Sequence, residues 1–280
     1  MKKSVSVRVP ATTANLGPGF DCLGIALKIY NTTTVSRSTK HPAGMAGDAA
    51  AAFFAATGVK PFGFSWSVDG DVPRSRGLGS SVTVRLGILH GLNELAGSPL
   101  DRRALFTLCS ELEGHPDNAA PGAFGGFTVA SSSTEFHRFA VDPALSFILL
   151  IPPFEMLTSA ARLVLPKSVS LGDAVYNLGR AAAITAAFAT GKYSKLRGCF
   201  QDRLHQPYRK KLLPFLDDTI AAACNAGALG GWLSGSGSTI ACVTLANPKR
   251  VAGAMIDASG LEDGFAVITT ADNSGVRILK

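Results

Sequence analysis

The sequence lacks the features that mark membrane, secreted and zinc-binding proteins. No apolar run reaches the roughly 18 residues that a bilayer crossing needs. The first residues carry positive charge without an apolar segment behind them, so we expect no signal peptide. The five cysteines are widely spaced, with no CxxC pair and no Cys/His cluster. These absences predict a cytoplasmic protein with reduced thiols and no membrane partner.

The basic residues form no stripe with interleaved aromatics, and we therefore expect no nucleic-acid partner. The 27 basic and 20 acidic residues give a formal charge of +7, and the densest basic cluster runs from 203 to 211. This excess fits a solvated surface or a field that attracts anionic ligands such as nucleotides.

Helical and strand patterns are mixed without strict alternation, which predicts an α+β fold and not a doubly wound sheet. Ile151-Pro152-Pro153 is the candidate junction between two domains, 1–152 and 153–280. The predicted helices cover 48–57, 80–95, 100–112, 172–190, 215–226 and 248–258. The predicted strands cover 4–9, 27–39, 62–68, 124–130, 147–151, 239–245 and 265–270.

The segment 73–81 reads PRSRGLGSS and lies between a predicted strand and a predicted helix. Gly77 and Gly79 let the backbone approach a ligand, and the helix start offers unpaired N–H groups and the positive end of the dipole. The segment therefore suits a phosphate, although a plain turn capped by Ser80 or Ser81 has the same pattern. It is not a Walker A loop, because the required Lys is missing.

Two more segments place polar side chains beside turns. Asn15 and Asp21 flank a Gly-Pro-Gly turn, where an amide and a carboxylate suit a substrate with an amine and a hydroxyl; Asx turns use the same residue types. Glu111 and Glu113 precede HPDN at 115–118, where a helix ends. This segment offers the one or two carboxylates that Mg²⁺ usually takes, or it is a solvated helix end.

The second half adds a Gly/Ser loop at 230–238 and two arginines, Arg162 and Arg209. Each guanidinium could bind a carboxylate through a bidentate fork, and each is equally compatible with an ordinary surface position.

Taken in order, these motifs resemble the GHMP kinase superfamily. The resemblance rests on an N-terminal segment at 10–21, the central loop at 73–81 and the Gly/Ser loop at 234–238. Within the superfamily, EGHPDNAAP at 113–121, Thr158 with Arg162, and HQPYR at 205–209 are similar to the kinases that act on homoserine. The similarity extends over nearly the whole chain.

The resemblance implies a fold and a reaction. The fold would be an N-terminal domain like domain 2 of ribosomal protein S5, followed by a ferredoxin-like α+β domain. The reaction would transfer the γ-phosphate of ATP to the side-chain hydroxyl of L-homoserine, giving O-phospho-L-homoserine in threonine biosynthesis. ATP and Mg²⁺ would be the cofactors, and a homodimer is compatible with the resemblance.

The resemblance also implies site residues. ATP would contact Pro73, Arg74, Ser75, Arg76, Gly77, Leu78, Gly79, Ser80, Ser81, Val82, Gly235, Ser236 and Gly237. Mg²⁺ would bind Ser81 or Ser80 together with Glu113 or Glu111. Homoserine would contact Asn15, Asp21, His115, Asp117, Thr158, Arg162 and Arg209, with Asn15, Asp21 and Asn118 nearest the reaction. Several superfamily members have an Asp base where this chain has Asn118, and because an amide cannot accept the proton we expect catalysis by positioning and charge neutralisation.

The chain departs from the family pattern at three places. Val82 replaces Ala, Gly47-Asp48-Ala49 replaces an Asn-Leu pair at a helix start, and Ser238 stands where relatives more often have Pro or Thr. The second departure concerns how the purine is held. The alternatives are another GHMP small-molecule kinase, acting on threonine, mevalonate or a sugar, and a non-catalytic ligand-binding protein of the same fold.

Overall fold

The computed structural model describes residues 2–279, which form two antiparallel sheets with helices packed on them. The first sheet has the strand order β10-β1-β2-β4-β5, and β3 also pairs with β2. Its strands are β1 (Ser4–Ala14), β2 (Leu23–Arg37), β3 (Phe64–Gly70), β4 (Phe127–Ala130), β5 (Phe136–Phe139) and β10 (Arg277–Leu279). The helices on this sheet are α1 (Gly44–Thr57), α2 (Ser80–Leu95), α3 (Arg102–Glu113) and α4 (Ala119–Phe124).

The second sheet has the order β7-β8-β6-β9 and belongs to a β-α-β-β-α-β succession. Its elements are β6 (Ser146–Ile151), α8 (Leu216–Asn225), β7 (Gly230–Leu233), β8 (Ile240–Thr244), α9 (Pro248–Ser259) and β9 (Phe265–Thr270). This succession and strand order are those of a ferredoxin-like fold. Between β6 and α8 lie α5 (Thr158–Leu163), α6 (Leu171–Thr190) and α7 (Gln206–Arg209), with short 3₁₀ turns after α6 and α7. The predicted two-domain α+β fold is confirmed.

Sheet membership and the predicted junction at 152/153 divide the chain differently. Strand β6 ends at Ile151, before the junction, yet it pairs with β8 and β9 of the second sheet. The C-terminal strand β10 returns to pair with β1 of the first sheet. The division into 1–152 and 153–280 therefore stays a prediction, and sheet membership would begin the second unit at Ser146.

One apolar core joins the two sheets. It combines Leu16, Ile25 and Phe127 from the first half with Phe147 and Trp232 from the second, all essentially inaccessible to solvent. Because this core is shared, the loops at the meeting edge of the two sheets are held at fixed positions relative to each other. That edge carries the functional side chains described below.

Local sequence explains the ends of the helices. The side chain of Asp101 accepts a hydrogen bond from Ala104 N at the start of α3, and Gly114 ends the helix with φ = 80°. Ser170 caps α6 in the same way, and Gly191 ends it with φ = 67°. Helix α2 is different, because the residue before it is Gly79 and no side chain caps its start.

Most predicted elements lie within a few residues of the observed ones, and the prediction for 124–130 was wrong at its start. Phe124 is the last residue of α4, and the strand begins only at Phe127. Helix α1 begins at Gly44 instead of residue 48. The sequence patterns missed α4, α5, α7, β5, β7 and β10, which are all short.

None of the helices within residues 2–279 combines the length and the apolar character that a membrane crossing requires. All five cysteines are free thiols, of which Cys109 and Cys242 are buried and the others half-buried.

Candidate active site

A cavity of about 500 Å³ opens where the loops of both halves meet. It brings together most of the residues that the sequence singled out. Those that line it are Asn15, Asp21, Arg74, Ser75, Arg76, Gly77, Gly79, Ser80, Ser81, Glu113, His115, Asp117, Asn118, Thr158, Arg162, Arg209, Gly235 and Ser236. Those that do not line it are Pro73, Leu78, Val82, Glu111 and Gly237.

The start of α2 presents free backbone N–H groups to this cavity. The first backbone bond of the helix runs from Thr83 N to Gly79 O (3.0 Å), so the N–H groups of residues 80–82 have no partner within the helix. Neither Ser80 nor Ser81 caps the helix end. Unpaired N–H groups and the positive end of the helix dipole at a cavity wall form an anion-binding site.

Glycine is required at both positions of the central loop. Gly77 and Gly79 have φ = 73° and 67°, a region that other residues rarely adopt. A Cβ on Gly77 would lie 2.0 Å from Ser234 O, and a Cβ on Gly79 would lie 2.0 Å from Thr12 Oγ1. The two glycines therefore let three chain segments approach each other beneath the cavity.

Hydrogen bonds fix the central loop against the Gly/Ser loop and against strand β1. Ser234 Oγ donates to Gly77 O (2.7 Å), and Thr12 N donates to Leu78 O (3.1 Å). Leu78 is fully buried, which explains why it does not face the cavity. The Gly/Ser loop at 234–238 thus supports the central loop from below.

Arg76 lines the cavity, but its guanidinium donates hydrogen bonds to backbone carbonyl oxygens. Nε donates to Pro152 O (3.0 Å) and Nη2 donates to Pro153 O (2.9 Å). These bonds tie the central loop to the two prolines that follow β6.

Of the two candidate metal-binding carboxylates, only Glu113 reaches the cavity. Ser81 Oγ donates to Glu113 Oε2 (2.9 Å), and the other carboxylate oxygen pairs with Arg85. Glu111 lies on the same helix but is exposed and outside the cavity. The structure therefore removes Glu111 from the set of residues that converge on the site.

The hydroxyl and carboxylate oxygens of Ser81 and Glu113 fit a bound Mg²⁺. An octahedral Mg²⁺ with oxygens at roughly 2.0–2.1 Å has neighbouring ligands about 2.9 Å apart. Ser81 Oγ and Glu113 Oε2 stand at 2.9 Å, beside the helix start that suits phosphate. Two hard oxygen ligands next to phosphate oxygens are the usual protein contribution to such a site.

The turn from Asn15 to Asp21 is held by the Asn15 amide. Asn15 is buried, its Oδ1 accepts from Asp21 N (3.0 Å), and its Nδ2 donates to Gly235 O (2.9 Å). Both residues have positive φ, 72° for Asn15 and 56° for Asp21. Asn15 therefore positions the loop, and the Asp21 carboxylate is the group that points to the cavity.

Two guanidinium groups, those of Arg162 and Arg209, also line the cavity. Arg162 Nη2 donates to Asp21 Oδ1 (2.8 Å). Arg209, only 2% exposed, donates from Nε to Ala161 O (3.1 Å) and from Nη1 to Gly235 O (3.0 Å). Its Nη2 has no hydrogen-bond partner among the described residues. Burial, followed by the nearby charge of Arg162, lowers the pKa of Arg209 to about 10, so the side chain stays cationic at neutral pH.

An acidic and imidazole cluster completes the polar end of the cavity. Asp117 Oδ1 accepts from Asn118 N (2.9 Å) and lies 3.1 Å from His115 Nδ1. The hydrogen bond to Asp117 raises the pKa of His115 against the effect of burial. One ligand atom each from Asp21, His115 and Asp117 lies within 4.8 Å of the others.

Asn118 is oriented from both sides. Thr12 Oγ1 donates to Asn118 Oδ1 (2.6 Å), and Asn118 Nδ2 donates to Asp117 Oδ1 (3.2 Å). One N–H of the amide is left for another acceptor. The role of Thr12 was not predicted, and nothing in its local sequence marks it.

The sequence also missed the apolar residues that line the cavity. Trp66 and Val68 on β3, Met45 on α1 and Val84 on α2 line it, together with Met156 and Leu157. Asp48, which marked the unusual helix start, is exposed and does not reach the cavity. The alternation of Trp66 and Val68 predicted a strand but carried no signal that both faced a ligand.

The fold and the anion-binding loop define a small-molecule kinase of the GHMP class. The family model described as GHMP kinases N terminal domain matches residues 44–126, and GHMP kinases C terminal matches residues 178–260. The chain is 38% identical to homoserine kinase of Clostridium kluyveri, with 99% of each chain covered. It is 36% identical to homoserine kinase of Caldicellulosiruptor bescii, covering 98% of this chain and 96% of the relative. A crystal structure of homoserine kinase from Cytophaga hutchinsonii superposes with a TM-score of 0.90 at 26% identity, covering 100% of this chain and 98% of the other.

The chain belongs to the homoserine kinase family of the GHMP kinases. It is accordingly an ATP-dependent kinase that phosphorylates an alcohol group.

Proposed function

We propose that the protein transfers the γ-phosphate of ATP to the side-chain hydroxyl of L-homoserine, giving O-phospho-L-homoserine for threonine biosynthesis. The observation that carries this proposal is the 36–39% identity to homoserine kinases over nearly the full chain. The cavity supports it, because cationic and anionic side chains face each other at one end, as an amino acid requires.

The amino acid would bind between the two arginines and the acidic cluster. Arg162 and the free Nη2 of Arg209 would hold the carboxylate, and Asp21 and Asp117 would hold the ammonium. Thr158 lies beside this region, with Oγ1 3.4 Å from Ser236 Oγ. Two guanidinium groups favour an amino or hydroxy acid over a sugar.

The nucleotide would lie along the other half of the cavity. Its phosphates would meet the N–H groups at the start of α2, and its purine would lie against Trp66, Met45 and Val68. This placement gives the purine an apolar wall that does not depend on Asp48.

Mg²⁺ would bind Ser81 and Glu113, where it would neutralise phosphoryl charge and orient the γ-phosphate. Arg85 pairs with the second oxygen of Glu113 and so fixes which oxygen faces the cavity.

Asn118 lines the cavity, and its amide cannot act as a base. Its orientation by Thr12 and Asp117 leaves one N–H for the acceptor hydroxyl. Asn118 would therefore orient the hydroxyl for attack in line with the γ-phosphate, and the hydroxyl proton would leave late, to a phosphate oxygen. A pH–rate profile with one essential carboxylate base, lost in Asp21→Asn or Asp117→Asn, would overturn this mechanism.

The test of the proposed function is product identification. Purified protein, MgATP and L-homoserine should give ADP and a phosphomonoester on the γ-oxygen, seen by phosphorus NMR. If the protein binds homoserine but transfers phosphate to no acceptor, the alternative of a non-catalytic ligand-binding protein is favoured. A homodimer also stays a prediction, which analytical ultracentrifugation would test.

A further inference from the structure

Asp21 and Arg162 bind each other at the place where an amino acid would bind both of them. Arg162 Nη2 donates to Asp21 Oδ1 at 2.8 Å, and both side chains line the cavity. Their side chains keep 32% and 37% of their surface exposed, so neither is locked away from a ligand.

Both members of the pair are attached to rigid parts of the site. Asp21 is fixed by the bond from its backbone N to Asn15 Oδ1. Arg162 follows Ala161, whose carbonyl accepts from the buried Arg209. Both guanidinium groups lie over the ring of Phe20, at 5.4 Å for Arg162 and 5.2 Å for Arg209. Two cations on one ring repel each other, and the Asp21 carboxylate compensates for part of that repulsion.

We propose, building on the function above, that this ion pair selects for zwitterions by partner exchange. The substrate carboxylate replaces Asp21 as the partner of Arg162, and the substrate ammonium replaces Arg162 as the partner of Asp21. A zwitterion satisfies both charges at once. A ligand with only one charge must separate the pair and leave one member unpaired in a partly desolvated cavity.

Partner exchange makes opposite predictions for ligands that lack one charge. γ-Hydroxybutyrate is homoserine without its ammonium, and aminopropanol is homoserine without its carboxylate. Asp21→Asn removes the group that γ-hydroxybutyrate would leave unpaired, so this variant should bind γ-hydroxybutyrate more tightly than the wild type does. Arg162→Gln should bind aminopropanol more tightly for the mirrored reason. Both variants should bind homoserine more weakly.

The experiment measures dissociation constants by calorimetry, in the presence of Mg²⁺ and a non-hydrolysable ATP analogue, so it does not depend on turnover. We expect each gain and each loss to be about tenfold, the lower end for hydrogen bonds between charged groups, because solvent screens the pair. Glu135→Gln is the matched control, since Glu135 pairs with Arg103 at 3.2 Å on the surface outside the cavity. It should leave all three constants unchanged.

Parallel weakening of all three ligands in both variants would overturn the proposal, and so would a wild type that binds the singly charged ligands as well as homoserine. If one variant fails to fold, the other still tests the proposal. Tighter binding of γ-hydroxybutyrate by Asp21→Asn, or of aminopropanol by Arg162→Gln, is by itself the predicted result. Wild-type turnover of homoserine is a separate measurement that tests the proposed function. If the wild type prefers another amino acid, the same comparison with the singly charged forms of that acceptor tests the exchange.

Discussion

Arg209 donates from Nη1 to Nδ1 of His205 across 3.2 Å, between two side chains that are buried. Nδ1 can accept only if the ring is neutral, and Nε2–H then donates to Gly17 O at 2.8 Å. Burial lowers the pKa of His205; the nearby Asp202 carboxylate opposes this, and the charge of Arg209 acts in the same direction as burial. One neutral imidazole therefore connects the cavity residue Arg209 to the Gly-Pro-Gly turn beside Asp21.

His205→Asn should raise the KM for homoserine by about tenfold, because a bond to a charged group contributes roughly 1.5–3 kcal/mol and Arg209 loses its orientation. The KM for ATP should stay nearly constant, since His205 does not line the cavity and lies behind its amino-acid end. Steady-state kinetics with each substrate varied in turn checks this. Equal increases in both KM values would indicate a general loss of structure instead of a positioning role.

Glu113→Gln should raise the Mg²⁺ concentration needed for half-maximal rate by about tenfold to a hundredfold, because a carboxylate ligand becomes a neutral amide. Glu111→Gln is the control on the same helix, since its side chain is exposed outside the cavity and should leave the Mg²⁺ dependence unchanged. Initial rates measured against Mg²⁺ at fixed ATP compare the two. A larger effect from Glu111→Gln would place the metal elsewhere.

Trp66→Ala should raise the KM for ATP by about tenfold, since an aromatic stack contributes roughly 1–3 kcal/mol. The KM for homoserine should not change, because in the proposed arrangement Trp66, which lines the cavity, contacts the purine and not the amino acid. Phe265→Ala removes another exposed aromatic ring, on β9 outside the cavity, and serves as the comparison. An unchanged KM for ATP in Trp66→Ala would contradict the purine placement.

His90 should make the protein less stable in acid. It is 7% exposed on α2 and its Nε2 has no partner among the described residues; burial lowers its pKa from 6.5 to about 4. Between these values the unfolded chain binds the extra proton, so the free energy of unfolding falls as pH decreases from 6.5 to about 4. One such histidine contributes a slope of at most about 1.4 kcal/mol per pH unit.

Urea unfolding of wild type and His90→Gln at several pH values measures this contribution. The variant should lose less stability on acidification, and His137→Gln, at an exposed position, should behave like the wild type. His205 adds a slope of the same sign that both variants retain. An identical pH dependence of the free energy of unfolding in His90→Gln and wild type would show that His90 does not cause the loss of stability in acid.

The sequence predicted helices and strands well where the apolar spacing continues over many residues and turn residues mark the ends. Helix α2 occupies 80–95 as predicted, because its apolar spacing runs to the turn after Leu95, and β9 occupies 265–270 as predicted. Helix α4 was missed because AAPGAF contains Pro and Gly and has only six residues. Its formation depends on burial of Ala119 to Ala123 against the core.

Site residues could be predicted where the residue type itself limits the chemistry. Gly77, Gly79 and Glu113 lie at the cavity wall. Trp66 and Thr12 come from separate strands, and only the tertiary fold brings them to the cavity and to Asn118. The ion pair of Asp21 with Arg162 joins residues 141 positions apart, a distance that local pattern cannot bridge.

The central claim is phosphorylation of homoserine, and the specificity constant kcat/KM for a panel of acceptors tests it most directly. ADP release from MgATP would be measured with L-homoserine, threonine, mevalonate and a sugar. The account predicts that homoserine is preferred by orders of magnitude. Mevalonate and a sugar leave charged groups of the cavity unpaired. Threonine pairs both charges, but its hydroxyl is on Cβ and not on Cγ, so it does not reach the position that the homoserine hydroxyl would occupy. Equal kcat/KM for homoserine and for threonine or mevalonate would contradict it.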